Sequence, residues 1–337
     1  MLKFSSRFMT IEKVTPMIFA IVLTLLALLT DASTSHAAIY GLDDRRDVVT
    51  DPWATKMASG TAMLISPVFT KTDAAGKLSF DFPRLDTTDS YNVCKEEKFA
   101  SQPSAYLGCT GFLISPTLLV TAGHCMVNTG EMQDTVNPQC RDFQWLLDYR
   151  ADLAGHVPVT GVAPSNVVGC KRLVYAIHSS TYDPLTKLTH FDRDFAIVEL
   201  DRPVTGRPYF KLATGFVQPG DRIAKIGYPL GQAAKVTGGG TVVEVMHPQF
   251  ARTTMDAVGG DSGGPVVSAK NGEVVGILVR AFPDDFYEPR GRDCQKFNVC
   301  TQDLKSCKAN DFLYPVGSQI QNVLAISSKL KELGLDF

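Results

Sequence analysis

Gly259-Gly260-Asp261-Ser262-Gly263-Gly264-Pro265 decides how this chain is read. Glycines on both sides of Ser262 permit a tight turn in which a hydroxyl stands clear and neighbouring N–H groups point outward. A hydroxyl so presented is a weak nucleophile at neutral pH. It needs an adjacent base, and the base needs a third group to hold its tautomer. Two upstream segments offer these groups. Val120-Thr121-Ala122-Gly123-His124-Cys125 places a histidine just after an apolar strand, and Asp194-Phe195-Ala196-Ile197-Val198-Glu199-Leu200 places a carboxylate at the head of another.

The chain order is therefore His124, Asp194, Ser262, one of the three orders in which this constellation occurs on unrelated folds. Ser262 is the candidate nucleophile, His124 the general base and then the general acid, and Asp194 the carboxylate behind His124. Attack on an amide creates an oxyanion, which needs donors already aimed at it. The glycines around Ser262 allow the backbone N–H groups of Gly260 and Ser262 to serve, and losing one such donor costs about 3 kcal/mol in the barrier. Asp192 lies two residues before Asp194 but outside the apolar run. His178 and His190 lack the Ala-Gly-His-Cys setting and read as surface loop residues.

Outward from these segments the chain is a series of short β-like runs between turn residues. Gly111–Ser115 and Leu118–Thr121, separated by Pro116-Thr117, predict a hairpin that delivers His124 beyond its second strand. Further strands are expected at 143–147, 172–177, 195–200, 222–226, 241–246, 265–267 and 273–279. Helical periodicity appears near the end, where Ile320, Val323, Leu324, Leu330 and Leu333 recur at helical spacing. The expectation is an all-β architecture with one C-terminal helix. A boundary is expected at Asp201-Arg202-Pro203-Val204-Thr205-Gly206-Arg207-Pro208. It divides residues 38–201, with His124 and Asp194, from residues 202–337, with Ser262 and the helix. Residues 70–105, 128–138 and 282–309 read as long loops or insertions.

The N-terminus reads as a targeting segment. Lys3, Arg7 and Lys13 precede an apolar run, Met17–Leu29, broken only by Thr24, and Ser35-His36-Ala37 offers a small-x-small cleavage site. The run is short for a span of roughly 20 apolar residues. Residues 1–37 are therefore expected to be a cleaved signal, with an uncleaved anchor as the rival, and the protein is expected to be secreted or periplasmic. All eight cysteines follow this segment. An even number in an exported chain fits disulfides, and no pair has the C-x-x-C spacing of a zinc or redox site, so no metal is expected. A formal net charge of −2 gives no basic excess for nucleic acid and no acidic tail.

On these motifs the chain resembles the chymotrypsin-fold (trypsin-like) serine proteases and, among them, is most similar to the bacterial V8-like, or glutamyl endopeptidase-like, branch. Ile39-Tyr40-Gly41-Leu42-Asp43-Asp44-Arg45 resembles the start of the mature domain in that branch. Val275-Gly276-Ile277-Leu278-Val279-Arg280 is similar to the strand that follows the serine and lines the cleft. The resemblance spans Ile39 to Leu330 and is densest from Cys109 to Arg280. It implies two six-stranded antiparallel β-barrels with the triad in the cleft between them and a disulfide between Cys109 and Cys125. It also implies protein or peptide substrates, no cofactor, no nucleic acid, and no stable membrane association once the signal is removed.

The chain departs from the V8-like pattern around the serine, where Asp261 and Gly263-Gly264-Pro265 are trypsin-like. In trypsin-like enzymes an acid before the serine pairs with a freed N-terminal amine. Asp261 has that place, which predicts an active form beginning at or near Ala38 or Ile39. The rivals are cleavage after Arg45-Arg46 and an ordinary turn carboxylate. Three residues are carried over as substrate-pocket positions. Asp256, six before the serine, has the place of the trypsin pocket floor and either selects Lys or Arg or braces the loop. Leu278 stands where glutamyl specificity uses a histidine. Ala281 stands where trypsin has a pocket-wall glycine. Two other readings compete with an active peptidase. One is an inactive protease-like binding protein. The other is a serine esterase, which lacks support because there is no Gly-x-Ser-x-Gly turn followed by Asp and His.

Overall fold

The computed structural model describes residues 38–105, 108–185, 188–282, 285–308 and 315–337. The expected signal, residues 1–37, lies outside them. Strands β1 (Ile39–Tyr40) and β2 (Arg46–Asp47) come first, then helix α1 (Pro52–Ala58). Next come β3 (Thr61–Ile65), β4 (Thr70–Thr72), β5 (Leu78–Phe80), β6 (Thr110–Leu113), β7 (Leu118–Thr121) and β8 (Gly130–Thr135). Helix α2 (Pro138–Asp142) precedes β9 (Gln144–Leu147), β10 (Val167–Asp183) and β11 (Leu188–Leu200). Six of these strands close an antiparallel barrel in the order β11-β7-β6-β3-β9-β10, with β10 pairing back onto β11 and β8 added outside on β10.

After residues 201–221 the second half begins with β12 (Arg222–Gly227), β13 (Lys235–His247), β14 (Phe250–Thr253), β15 (Pro265–Ser268) and β16 (Val274–Phe282). The short strands β17 (Phe286–Tyr287), β18 (Lys296–Phe297) and β19 (Val299–Cys300) lead to β20 (Gly317–Asn322) and helix α3 (Val323–Glu332). The second ring runs β12-β15-β16-β20-β14-β13 and closes through β12–β13. Closing each sheet removes the unpaired edges that an open sheet would expose. The first ring's strands bury Phe112, Trp145, Tyr175 and Phe195, and the second ring's strands bury Ile223, Val266, Ile277 and Ile320. Burying each large apolar side chain contributes about 1.5–3 kcal/mol.

The segment 38–47 belongs to the second ring by pairing, although it precedes the first in sequence. β1 runs parallel to β19, β2 runs antiparallel to β13, and Ala38 bridges to Ala257. Four disulfides are present: Cys94–Cys294, Cys109–Cys125, Cys140–Cys170 and Cys300–Cys307. The first ties the loop before β6 to the insertion after β17 across 200 residues of sequence.

The structure departs from the sequence reading in several places: helices α1 and α2 join the expected C-terminal one, and residues 70–105 and 282–309, read as loops, hold the short strands β4, β5 and β17 to β19. Ile320–Asn322 is strand, because β20 is paired on one side by β16 and on the other by β14. The C-terminal helix starts only at Val323, where the Asn322 side chain accepts from Leu324 N–H at 2.8 Å. Residues Gly130–Thr135, read as loop, form β8; the strand is exposed and polar, so it carries no alternation to read. β10 and β11 extend well past their apolar stretches, which puts His178 and His190 on strands rather than on surface loops.

Candidate active site

The β7–β11 pairing brings the histidine and its carboxylate together. Thr121 is paired with Ala196, so the residues just after β7 and the residues just before Ala196 lie at the same end of the barrel. His124 sits in the 3-10 turn Gly123–Cys125 at that end. Asp194, 1% exposed, holds it twice: Oδ1 accepts the His124 backbone N–H at 2.9 Å, and Oδ2 is 2.9 Å from His124 Nδ1. Asp194's own N–H donates to Gln321 Oε1 at 2.9 Å, a contact from the second ring. A carboxylate bonded to ring and backbone of one histidine fixes both its tautomer and its orientation.

Arg280 is a site residue whose role the sequence did not reveal. From β16 its Nη2 donates to Asp194 Oδ2 at 3.1 Å and its Nη1 to Gln319 Oε1 at 3.2 Å. The guanidinium lies 3.6 Å from the centroid of the Phe191 ring and 4.9 Å from that of Phe250. Burial alone would raise the Asp194 carboxyl, but His124 and Arg280 beside it hold it well below the ordinary carboxylate range. His178 stands next to this group as well, its ring centroid 5.8 Å from that of His124 and its Nδ1 2.6 Å from Asn128 O. Asp192 points elsewhere and accepts from Thr181 Oγ1 at 3.0 Å.

The serine turn comes from the second ring and is sewn to the first by Thr110 of β6. Thr110 N–H donates to Ser262 O and its Oγ1 to Gly260 O, both at 2.8 Å. Cys125 Sγ, one residue after His124, lies 3.8 Å from Ser262 O, so the turn that holds His124 and the turn that holds Ser262 are adjacent. Gly260 and Gly263 have φ of +90° and +84°, and a Cβ on Gly263 would stand 2.2 Å from Thr121 Oγ1. Only glycine lets the turn lie this close to β6 and β7. Among the described residues neither the Gly260 nor the Ser262 N–H has a hydrogen-bond acceptor. The adjacent N–H groups are engaged: Gly259 with the Asp285 carboxylate at 3.1 Å, Asp261 with Val258 O at 3.1 Å, and Gly263 with Leu278 O at 2.7 Å.

Asp261 does not meet the chain's N-terminal segment. Its Oδ2 accepts from Lys225 Nζ at 2.5 Å and from Val258 N–H at 3.1 Å, and both Asp261 and Lys225 are fully buried. Asp256 is the carboxylate that segment reaches. Its Oδ1 accepts from Tyr40 N–H at 2.7 Å and its Oδ2 from Asp44 N–H at 3.1 Å, and burial pushes its carboxyl up to about 7. Leu278 and Ala281 are buried on β16. Leu278 N–H donates to Gly264 O at 3.0 Å, and Ala281 is paired with Ser318 of β20. The sulfurs of Cys109 and Cys125 and a ring nitrogen of His124 lie within 4.8 Å of one another, but both sulfurs are spent in a disulfide and offer no thiolate to a metal.

Two closed antiparallel rings, with a histidine–aspartate pair on one and a glycine-bound serine turn on the other, define the trypsin-like architecture. The trypsin-like peptidase domain model matches residues 109–277, half of the chain, and the chain belongs to this family. A segment is 32% identical over 114 residues to the genome polyprotein of Turnip mosaic virus (strain Quebec). That match takes in 29% of this chain and 4% of the polyprotein's length, and the polyprotein of the Japanese strain matches equally. Among solved structures, a Glu endopeptidase in complex with MPD is 14% identical with a TM-score of 0.46, covering 88% of this chain and 98% of that one. The active form of the Rv3671c protease from M. tuberculosis is 14% identical with a TM-score of 0.43, covering 90% and 92%.

Proposed function

We propose that this protein is an exported serine endopeptidase that cleaves peptide bonds through an acyl-enzyme. His124 takes the proton of Ser262 Oγ as the oxygen attacks the scissile carbonyl, and returns it to the leaving amine. Asp194 stays ionised and holds the imidazole in register. The Gly260 and Ser262 N–H groups receive the oxyanion. A water then repeats the sequence in reverse, with His124 again as base, and frees the acid. The observation that carries this reading is the double hold of Asp194 on His124, ring and backbone both at 2.9 Å, at the end of the barrel facing the serine turn. Residues 48–201 are taken as the half that carries His124 and Asp194, and residues 202–337, joined by the segment 38–47, as the half that carries Ser262. The four disulfides support an oxidising destination after removal of residues 1–37.

Within the family the V8-like branch is the proposed affiliation, with specificity set by other means than a pocket-floor acid. Both Asp256 oxygens already accept backbone N–H bonds from residues 40 and 44, which favours the bracing role over selection of Lys or Arg. The test is labelling of the purified protein with a fluorophosphonate, followed by peptide mapping and by casein hydrolysis before and after labelling. Modification at Ser262 with loss of hydrolysis is expected. Unimpaired hydrolysis after full labelling, or no label at Ser262, overturns the proposal.

A further inference from the structure

Beneath the serine turn lies a buried ion pair that the acyl-transfer chemistry does not use. Lys225 projects from β12, and its Nζ meets Oδ2 of Asp261, the residue before the serine, at 2.5 Å with neither side chain exposed. A lone carboxylate at this depth would be driven to neutralise or to carry the turn out to water. The cation lets it stay. Asp261 is in turn the hub of the loop. Its N–H donates to Val258 O at 3.1 Å, its O accepts from Gly264 N–H at 2.9 Å, and its Oδ2 accepts from Val258 N–H at 3.1 Å. A Cβ on Gly227 of β12 would fall 2.2 Å from Oδ1, so the carboxylate is walled in on that side too. The Asp261 anchor is the hold inside the turn itself, between Gly260 and Ser262, and it acts with the outer holds from Thr110, Asp285 and Leu278 on the direction of those two N–H groups.

We infer that Lys225 is a positioning residue that supplies from within the chain the buried cation locking the oxyanion turn, so that activity does not await a freed N-terminal amine. The inference rests on the peptidase reading above. The N-terminal segment is held by other means. Ala38 O accepts from Ala257 N–H at 3.1 Å, Ile39 N–H donates to Asn298 O at 2.9 Å, and Tyr40 N–H donates to Asp256. A chain that continues upstream of Ala38 makes these bonds equally well. Two other buried cations, Arg45 and Lys235, act on Asp261 through their charge, but their hydrogen bonds go elsewhere: Arg45 to Asp43 at 2.7 Å, and Lys235 to Asp47 at 2.8 Å.

Two arms test this in the full chain. In the first, Gly-Ser-Gly-Ser is inserted between Ala37 and Ala38, and N-terminal sequencing confirms that the product keeps it. Its kcat/KM and fluorophosphonate labelling rate are expected within about twofold of the parent. In the second, Lys225→Met is expected to lose about 100-fold in kcat with little change in KM, the size of a lost oxyanion donor. Its affinity for a peptide aldehyde should fall about as far while that for the matching product peptide holds, and Lys225→Arg should recover most of the loss. An extended protein that stays dormant until the extension is cut overturns the inference, as does a Lys225→Met protein with parental kcat and aldehyde affinity. If Lys225→Met does not fold, the extension arm decides alone. A parent protein without label at Ser262 brings down the peptidase reading itself. A labelled parent with a dormant extended form brings down only the role given to Lys225.

Discussion

The two sides of the cleft are built by different rules. On the histidine side, the groups sit at the ends of two directly paired strands, β7 and β11, and a few short hydrogen bonds complete the arrangement. On the serine side, the turn is held from scattered places: Thr110 of the other ring, Lys225 of β12, Asp285 of the late insertion, and Leu278 of β16. An acid–base pair needs one fixed distance, which strand pairing supplies. An oxyanion turn needs several N–H groups aimed together, and an isolated glycine-rich loop has too much conformational freedom to hold them. Rigidity there must be imported.

That contrast can be broken most severely at the reacting atoms. Ser262→Ala should lower kcat by roughly 10⁵-fold or more, since triad members act as a unit. Thermal unfolding should stay near the parent's, because the turn's backbone bonds do not involve the hydroxyl. His124→Ala should lose a comparable amount. Near-parental hydrolysis by either variant would place the chemistry elsewhere.

Removing Cys109–Cys125, by alanine at both, tests whether the histidine side needs more than strand pairing. The bridge closes a loop of sequence separation 16, for which chain entropy predicts about 3 kcal/mol. The denaturant midpoint under non-oxidising conditions should fall by the corresponding amount. Activity at low denaturant should survive if the β7–β11 pairing alone positions His124. Its loss in a folded variant would show that the bridge positions His124.

Arg280→Gln probes a long-range element of the histidine side. The guanidinium shares Asp194 Oδ2 with His124, so removing its charge leaves the carboxylate freer to stabilise a protonated imidazole. The acid limb of the kcat/KM–pH profile should therefore move up, by about one pH unit for a nearby charge at a cleft partly open to water. An unmoved limb would mean that the Arg280 charge is not felt at His124 and that Arg280 acts by holding Gln319, Phe191 and Phe250 in place.

The smallest effect on catalysis is expected at Asp256→Asn, where stability rather than turnover should respond. Its folded carboxyl is raised to about 7, so between the ordinary value near 4 and that point the native state keeps a proton that the unfolded chain has shed. Stability from this group is full below about pH 4 and is lost as pH rises through 7. The slope is no steeper than about 1.4 kcal/mol per pH unit, the limit for one proton. Unfolding midpoints measured from pH 4 to 8 should decline in the parent and flatten in the variant. A parallel decline in both would assign the slope to other groups.

The local elements of the site were legible because their chemistry is written in contiguous residues. The turn Gly259–Pro265, the strand before His124 and the strand after Asp194 each carry glycine spacing or an apolar run. The all-β character and the terminal helix follow from the same periodicities, although the helical spacing reaches three residues back into β20. Ile320 stands at helical spacing from Val323 and Leu324, and only pairing with β14 and β16 makes Ile320–Asn322 strand. The exposed strand β8 had no apolar face to read.

What the sequence determined by itself was the set of residues proposed to react, their order along the chain and the fold class, since each is encoded over a handful of neighbouring positions. The tertiary structure alone decided which distant side chains serve them. Lys225 and Asp261 are 36 residues apart, Arg280 and Asp194 are 86 apart, and Asp256 and Tyr40 are 216 apart. An ion pair or a carboxylate–amide bond leaves no periodic trace in either partner's neighbourhood. Its existence depends on ring closure bringing β12 under the serine turn, β16 against Asp194 and the first described residues onto the second barrel, and that geometry is a property of the whole packed chain.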